Sequence, residues 1–364
     1  MAVPGAVCNP LPLRSVDTAL LGQSVDLGKI SRELKKLWES TGGTSTRASL
    51  VNFVVYAEGE ESLEANTRLI SEFTRDHACR AILVARDRTA PEPGAQAWIN
   101  AHCHLPRAGA KHVCCEQITF LIAGSSDQLL SNVLFANLDS DLPLFLWWQG
   151  ELPDPLDEQL LTWVDRLIFD SRDWRSPTAR FAHLHSTLHS AGARLILCDL
   201  NWTRSLHLRQ AVSQMFDHPD SLPLVGQINQ LKLTHAPEFA STAVLFTAWI
   251  ASALCWSLVS GSGESFRFIS PSGESIACEL RSAPGAPISQ CALTAPGLSV
   301  SIQRAPSSPF HQAEVRLPDG RTHCHLLPAG SDEIGHLLDE ELTLGGRHRV
   351  YLKALAAADP LWPA

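Results

Sequence analysis

The residues best equipped for chemistry are Asp199, Asn201, Trp202 and Arg204, which fall within six positions directly after the apolar run Leu195–Cys198. An apolar run closed by polar residues and followed by a helical pattern predicts a buried strand, a loop and a helix. The carboxyl end of such a strand is where α/β proteins hold ligands. A carboxylate, an amide, an indole and a guanidinium together make a recognition surface, yet they include no nucleophile–base pair. Asp199 and Asn201 also suit capping or bracing of the helix that follows. Arg204 at a helix start opposes the helix dipole, so it should answer a carboxylate or a ligand anion. Asp141–Trp148 is a second strand end of similar character, opened by Pro143 and closed by the indoles of Trp147 and Trp148. Strict alternation would turn one of those indoles into the core and the other away from it.

Known catalytic patterns fail when tried on this chain. Gly261-Ser262-Gly263 is the only G-x-G, and it lacks the third glycine and enters a strand rather than a helix. Neither a G-x-x-x-x-G-K-[ST] phosphate loop nor a G-x-S-x-G nucleophile elbow occurs. His102-Cys103-His104 and His323-Cys324-His325 each place two imidazoles on one face of a strand, and together could offer zinc four nitrogens. They lie over two hundred residues apart, so the plainer expectation is two half-solvated faces with each Cys turned to the core. Cys114-Cys115-Glu116 opens an apolar strand with only Lys111 and His112 as nearby cations, which favours packing over thiolate chemistry. His183, His185 and His189 fall on a predicted helix, as a solvated face. The reading therefore assigns no catalytic residue, no metal ligand and no cofactor. Trp147, Trp148, Asp199, Asn201, Trp202 and Arg204 remain as candidate partner-binding residues.

The elements that must position these groups alternate along the first half of the chain. Ser24 to Glu39 predicts an amphipathic helix with Ile30, Leu34, Leu37 and Trp38 on one stripe. Strand Leu50–Ala57, helix Glu60–His77 and strand Arg80–Ala85 make a unit of the length a parallel crossover needs. Strands at Ala97–His104 and His112–Ala123 follow, then helix Ser125–Leu138 and strands Leu142–Trp148 and Leu167–Asp170. The alternation runs on through helix Thr178–Ser190, strand Leu195–Cys198 and helix Thr203–Phe216. Leu222 to Leu233 reads as a strand region, and Ser241–Val259 as an apolar helix. Beyond it the texture changes to short strands at Ser265–Ser270, Ser275–Arg281, Leu298–Arg304, Ala313–Leu317 and Thr322–Leu327, separated by Pro/Gly/Ser turns. A helical tail from Asp332 closes the chain. The fold class expected is α/β, with a largely parallel sheet and flanking helices in the N-terminal part. The C-terminal part is expected to be α+β, with an antiparallel meander and a terminal helix. The segmentation expected is 1–45 as an N-terminal segment, 46–171 as an α/β domain and 172–364 as an α+β domain.

Bulk properties exclude several function classes. A net charge of −9 over 364 residues argues against nucleic acid, whose phosphates call for a basic stripe. Phe239 to Val259 carries no charge and is about long enough to span a bilayer. Its Ser and Thr residues and the lack of flanking Lys/Arg clusters predict a core helix instead. Residues 1–23 show no secretory signal, and the ten Cys are scattered without C-x-x-C spacing, which predicts a cytoplasmic protein with reduced thiols. Ten Trp against two Tyr is an unusual balance, and Trp is enriched at protein interfaces.

Three motifs in register, Val113–Ile118, Asp141–Trp148 and Asp199–Arg204 with Met215-Phe216-Asp217, resemble the OpcA family of glucose-6-phosphate dehydrogenase assembly proteins. The amphipathic opening from Val25 to Trp38 is similar as well, so the resemblance covers residues 24 to 355. It implies a non-enzymatic, cytoplasmic partner of glucose-6-phosphate dehydrogenase that supports its assembly and activation, with no cofactor of its own. The contact it implies is through exposed aromatic and Arg side chains. A second reading is an α/β enzyme or sensor that binds a sugar phosphate or nucleotide at the strand ends.

Overall fold

The computed structural model describes residues 16–40, 45–90, 92–105, 112–124, 128–190, 195–343 and 348–362. The chain forms two units, the first comprising Met1–Phe169 and His183–Ile196, the second Asp170–Ala182 and Leu197–Ala364.

In the first unit, short strands Gln23–Val25 (β1) and Ser45–Arg47 (β2) precede Asn52–Glu58 (β3) and Arg80–Asp87 (β4). Nearly every side chain of β3 and β4 is buried, because interior strands of a parallel sheet are covered on both faces. Gly94–His104 (β5), His112–Ala123 (β6), Leu144–Trp148 (β7) and Arg166–Phe169 (β8) follow, and within this unit the strands stand in the order β1-β5-β6-β4-β3-β7-β8, with β2 paired parallel to β6. Strands β6, β4, β3, β7 and β8 run parallel, with β5 antiparallel to β6 and β1 antiparallel to β5. Numbered along the chain, the five parallel strands stand 3-2-1-4-5, the order of a dinucleotide-binding sheet.

Its helices are Thr18–Leu21 (α1), Ile30–Ser40 (α2), Ser62–Phe73 (α3), Gln128–Asn137 (α4) and Glu158–Leu161 (α5), while Pro177–Ser190 (α6) straddles both units. The predicted amphipathic helix starts later than read, at Ile30, because Gln23–Val25 pairs with β5. Helix α2 buries Ile30 and Leu34, and Trp38 donates its indole N–H to Glu116 at 3.0 Å. Phe53 of β3 stacks on Phe73 of α3 at 4.6 Å between centroids, which fixes the helix to the sheet.

The hairpin β5–β6 sets Cys103 directly opposite Cys114, and the two form a disulfide. The expectation of thiols throughout is corrected at this pair. Register across a hairpin brings together residues whose spacing in sequence carries no C-x-x-C signal. Cys103 also faces outward and His102 inward, the reverse of the expected orientation.

In the second unit, Ile196–Asp199 (β9), which the chain enters from the first unit, leads into Leu200–Thr203 (α7) and Leu206–Phe216 (α8). Gln230–His235 (β10) and Ala240–Ala253 (α9) follow. Then come Ser257–Ser262 (β11), Ser265–Ile269 (β12), Ser275–Ser282 (β13), Ile288–Ala295 (β14), Leu298–Gln303 (β15), Phe310–Arg316 (β16) and Thr322–Pro328 (β17). Ile334–Thr343 (α10) and Arg349–Ala358 (α11) close the unit. The sheet order is β11-β12-β13-β10-β14-β15-β16-β17, antiparallel except for the β10–β13 pair. Strands β12, β13 and β16 alternate buried and exposed side chains, the signature of a sheet with one covered face. Helix α9 is buried on nearly all sides against β10 and α11. Its 14 residues reach only about 21 Å, and Ser257–Ser262 continues as strand rather than helix. Among the described residues no helix is long and apolar enough to cross a membrane.

One core residue of this sheet sets a pH dependence. His311 of β16 is buried, and burial, with Arg304 and His207 nearby, pushes its imidazole down to about 4. Unfolded His takes a proton near pH 6.5, so the folded state binds fewer protons between about pH 6.5 and 4. Stability from this group is complete above pH 6.5 and falls as pH drops toward 4, by about 3 kcal/mol. Denaturant melts of His311→Gln should lack that share of the acid-side decline, and an unchanged slope would refute the assignment.

Candidate functional site

Asp199 is the centre of a strongly hydrogen-bonded polar cluster that the sequence singles out. It ends β9 and caps α7, so the segment read as a loop is itself a helical turn. Its carboxylate is fully enclosed and its two oxygens divide the donors cleanly. Oδ1 accepts the backbone N–H groups of Ser171 and Asn201, both at 3.0 Å. Oδ2 accepts the hydroxyls of Ser171 at 2.6 Å and Tyr351 at 3.0 Å. Burial pushes this carboxyl up to about 7, with the Asp170 carboxylate adding to the rise and the Ser171 and Tyr351 hydrogen bonds opposing it.

The neighbouring residues extend the cluster. Asn201 donates to the hydroxyls of Ser171 and Ser241, both at 3.1 Å, and accepts from Thr242. Arg204 pairs with Asp170 at 2.7 Å and lies over the Phe239 ring at 5.4 Å. The expectation that Arg204 answers an anion is met by a carboxylate of its own chain. Trp202 packs against the Arg209 guanidinium, 3.5 Å from its ring centroid, and against the tilted ring of Tyr351, 5.6 Å between centroids. Arg209 is anchored in turn by the Trp202 carbonyl and the Ser205 hydroxyl, both at 3.1 Å.

Trp147 and Trp148 belong to the first unit, and both are buried, at 4% and 7% exposure. Alternation predicts one of them outside. Strand β7 lies between β3 and β8, however, and a parallel sheet covers both faces of such a strand. Trp148 stacks on Tyr56 at 3.8 Å and donates its indole N–H to the Glu151 carbonyl at 3.1 Å. All six candidate residues are thus buried, and their side chains do not form the exposed contact face expected of them. Sequence reasoning missed Ser171, Ser241, Tyr351 and Asp170. Three of these stand 28 to 152 positions from the residue they bond, where no local spacing signals them. Asp170, at a predicted strand end, could have been found.

The other candidates resolve as structure. In the motif Val113–Ile118, Glu116 receives Arg47 at 2.8 Å and Arg80 at 3.1 Å, while Gln117 bonds His102, Thr67 and Thr119. Cys115 is buried with its thiol toward the Ala48 and Thr74 carbonyls. His102 of the first H-x-H strand is committed to Gln117 at 2.7 Å. The side chains of His183, His185 and His189 lie outside the described residues.

The first βα turn decides whether the dinucleotide-type sheet can hold its usual ligand. It reads Glu58-Gly59-Glu60-Glu61-Ser62, with one glycine at φ +80° and three carboxylates. A pyrophosphate requires close backbone approach through several glycines, and this turn has one, while its Glu58 is already paired with Arg88 at 3.0 Å. The residues present do not fit a dinucleotide. Fold and turn together define a two-unit α/β protein with the strand order of the dinucleotide-binding class and a remodelled, acidic first turn.

Comparison with known proteins narrows this class. Residues 70–186 match the family model described as glucose-6-phosphate dehydrogenase subunit N-terminal domain, and residues 196–355 the one described as its C-terminal domain. The chain belongs to this family, OpcA. A relative from Synechocystis, provisionally named OxPP cycle protein OpcA, is 27% identical over 251 residues, covering 66% of this chain and 51% of the relative. One from Nostoc punctiforme with the same provisional name is 27% identical over 232 residues, covering 61% and 49%. The chain spans about half the length of these curated relatives. Among solved structures, a probable oxidoreductase is 10% identical with a TM-score of 0.46, covering 85% of this chain and 95% of its own. Biliverdin reductase of Synechocystis is 11% identical with a TM-score of 0.45, covering 86% and 98%.

Proposed function

We propose that this chain is a non-catalytic assembly factor and allosteric activator of glucose-6-phosphate dehydrogenase, acting in the cytoplasm in support of the oxidative pentose phosphate pathway. The observation that carries this reading is the match of both halves of the chain to domains described as those of a glucose-6-phosphate dehydrogenase subunit. Activation follows if the chain binds the active conformation or oligomer of the enzyme more tightly than the inactive one, since only differential affinity shifts such an equilibrium.

The six buried candidates then serve the contact indirectly, by fixing the segments they sit in. The Asp199 cluster holds α7, and the paired indoles hold the end of β7. For direct contact the surface offers Trp163, 62% exposed and tilted against Phe135 at 5.4 Å. An exposed indole is the side chain from which interface hot spots are most often built.

Co-purification with the dehydrogenase of the same organism, followed by that enzyme's substrate saturation curve, tests the reading. A stable complex and a lowered half-saturation concentration are expected. Trp163→Ala should weaken the complex by about 30-fold, the equivalent of about 2 kcal/mol. Absence of both complex and kinetic change would overturn the proposal. The competing reading, a binder of sugar phosphate or nucleotide at the strand ends, is disfavoured by the single glycine of the first βα turn, which offers a phosphate no glycine-rich cradle.

A further inference from the structure

Directly before Asp199, the second unit brings together three side chains that no motif in the sequence links. They are Cys198 from β9, Glu341 from α10 and His348, the residue that precedes α11. One donor atom from each, the thiol sulfur, a carboxylate oxygen and an imidazole nitrogen, lies within 4.8 Å of the other two. His348 Nε2 stands 3.9 Å from Cys198 Sγ and 3.2 Å from Glu341 Oε2.

Two arrangements produce such a trio. In a thiol–imidazole–carboxylate relay, the thiol and the carboxylate engage opposite ring nitrogens, so that a proton can pass through the ring. Here both approach the same nitrogen, Nε2, and the ring cannot act as a bridge. Convergence of three different donors on one point is the arrangement of metal ligands. A tetrahedral zinc ion with bonds of about 2.0–2.3 Å separates its donors by about 3.3–3.8 Å, close to the spacing found.

We propose that Cys198, Glu341 and His348 form a binding site for a zinc-like divalent cation, with a fourth position open to water or a further ligand. The donor set of one sulfur, one nitrogen and one oxygen suits a borderline-soft ion and excludes calcium and magnesium, which take oxygen. Charge agrees as well. A thiolate and a carboxylate with a neutral imidazole carry two negative charges, which a divalent ion cancels in a buried setting. Binding proceeds with release of the thiol proton: the S–H bond breaks, the sulfur pair forms the metal bond, and one proton leaves per ion. Glu341 is oriented by an outer hydrogen bond, since its second oxygen accepts the Thr203 hydroxyl and Thr203 also contacts the Asp199 carbonyl at 3.1 Å. Such outer partners accompany protein metal ligands as a rule. Cys198 and Glu341 are enclosed, whereas the His348 side chain is 14% exposed, so the ion enters from the His348 side.

The test uses the full chain, stripped with a chelator and titrated with Zn²⁺ by calorimetry and with Co²⁺ by absorption. One equivalent of Zn²⁺, a thiolate-to-cobalt charge-transfer band and a rise in melting temperature with Zn²⁺ are expected. Cys198→Ser and His348→Ala, each checked for native circular dichroism, should lose more affinity than the roughly 100-fold that removal of an outer hydrogen bond costs. Should one of them fail to fold, the other carries the test. Cys255→Ser and Cys324→Ser, at the exposed free thiols, should bind as the wild type does. No stoichiometric binding to the folded wild type, or binding that persists in both Cys198→Ser and His348→Ala, would overturn the site.

Discussion

Asp199→Ala should lower the unfolding free energy by about 3–5 kcal/mol, while Asp199→Asn should cost only about 1 kcal/mol. Alanine leaves the Ser171 and Asn201 N–H groups, both within 3.0 Å of Oδ1, without an acceptor in a site sealed from water. Each such orphan costs about 1–3 kcal/mol. Asparagine keeps a carbonyl oxygen for the two N–H groups. Its amide hydrogens then face the Ser171 and Tyr351 hydroxyls, which can rotate from donating to accepting. Burial raises the Asp199 carboxyl to about 7, so below that pH an uncharged mimic suits the site. Urea melts compare the two variants directly. If Asn proves as damaging as Ala, the donors do not divide between the two oxygens as described.

Glu116→Ala should be nearly as damaging, at about 3–5 kcal/mol. Glu116 is 1% exposed and takes Arg47, Arg80 and the Trp38 indole on one carboxylate. Its removal strands the Arg80 guanidinium, only 13% exposed, as an uncompensated buried charge. Arg47 is 43% exposed and returns to water at little cost. Helix α2 also loses its indole anchor. Replacing both partners, Glu116→Met with Arg80→Met, should recover at least half of the loss, since an apolar pair avoids the desolvation of both charges. A single-variant loss below 1 kcal/mol, or no recovery in the double variant, would contradict this account.

Much of the fold was legible because local patterns carry it. The strands Asn52–Glu58, Arg80–Asp87, His112–Ala123 and Leu144–Trp148 are predominantly apolar, and the crossover lengths between them admit parallel pairing. The helices Ser62–Phe73 and Gln128–Asn137 show through their periodicity. Strands Ser257–Ser262 and Ile288–Ala295 escaped notice, the first because it continues an apolar helix and the second because two polar residues, Ser289 and Gln290, follow Ile288 and Ala292 is apolar on the less buried face. Strand β10 lies parallel to β13 inside an otherwise antiparallel sheet. No local residue pattern specifies that pairing, since it depends on which apolar face another segment leaves open.

The polarity of the candidate residues was legible in the sequence, and their burial was not. The chain signals that Asp199, Asn201, Trp202 and Arg204 are unusual, because polar groups at a buried strand end must be either functional or satisfied within the chain. Which of the two holds is set by Ser171, Asp170, Tyr351, Ser241 and Thr242, whose contacts close only on folding. By itself, then, the sequence determined the class of fold, the family and the positions where polarity meets core. Tertiary structure alone decided that Trp147 and Trp148 are both enclosed, that Cys103 meets Cys114, and that Cys198 faces Glu341 and His348. The physical reason is range. Periodicity and capping act over a few residues, whereas burial, ion pairing and ligand convergence depend on distances that exist only once the chain has closed on itself.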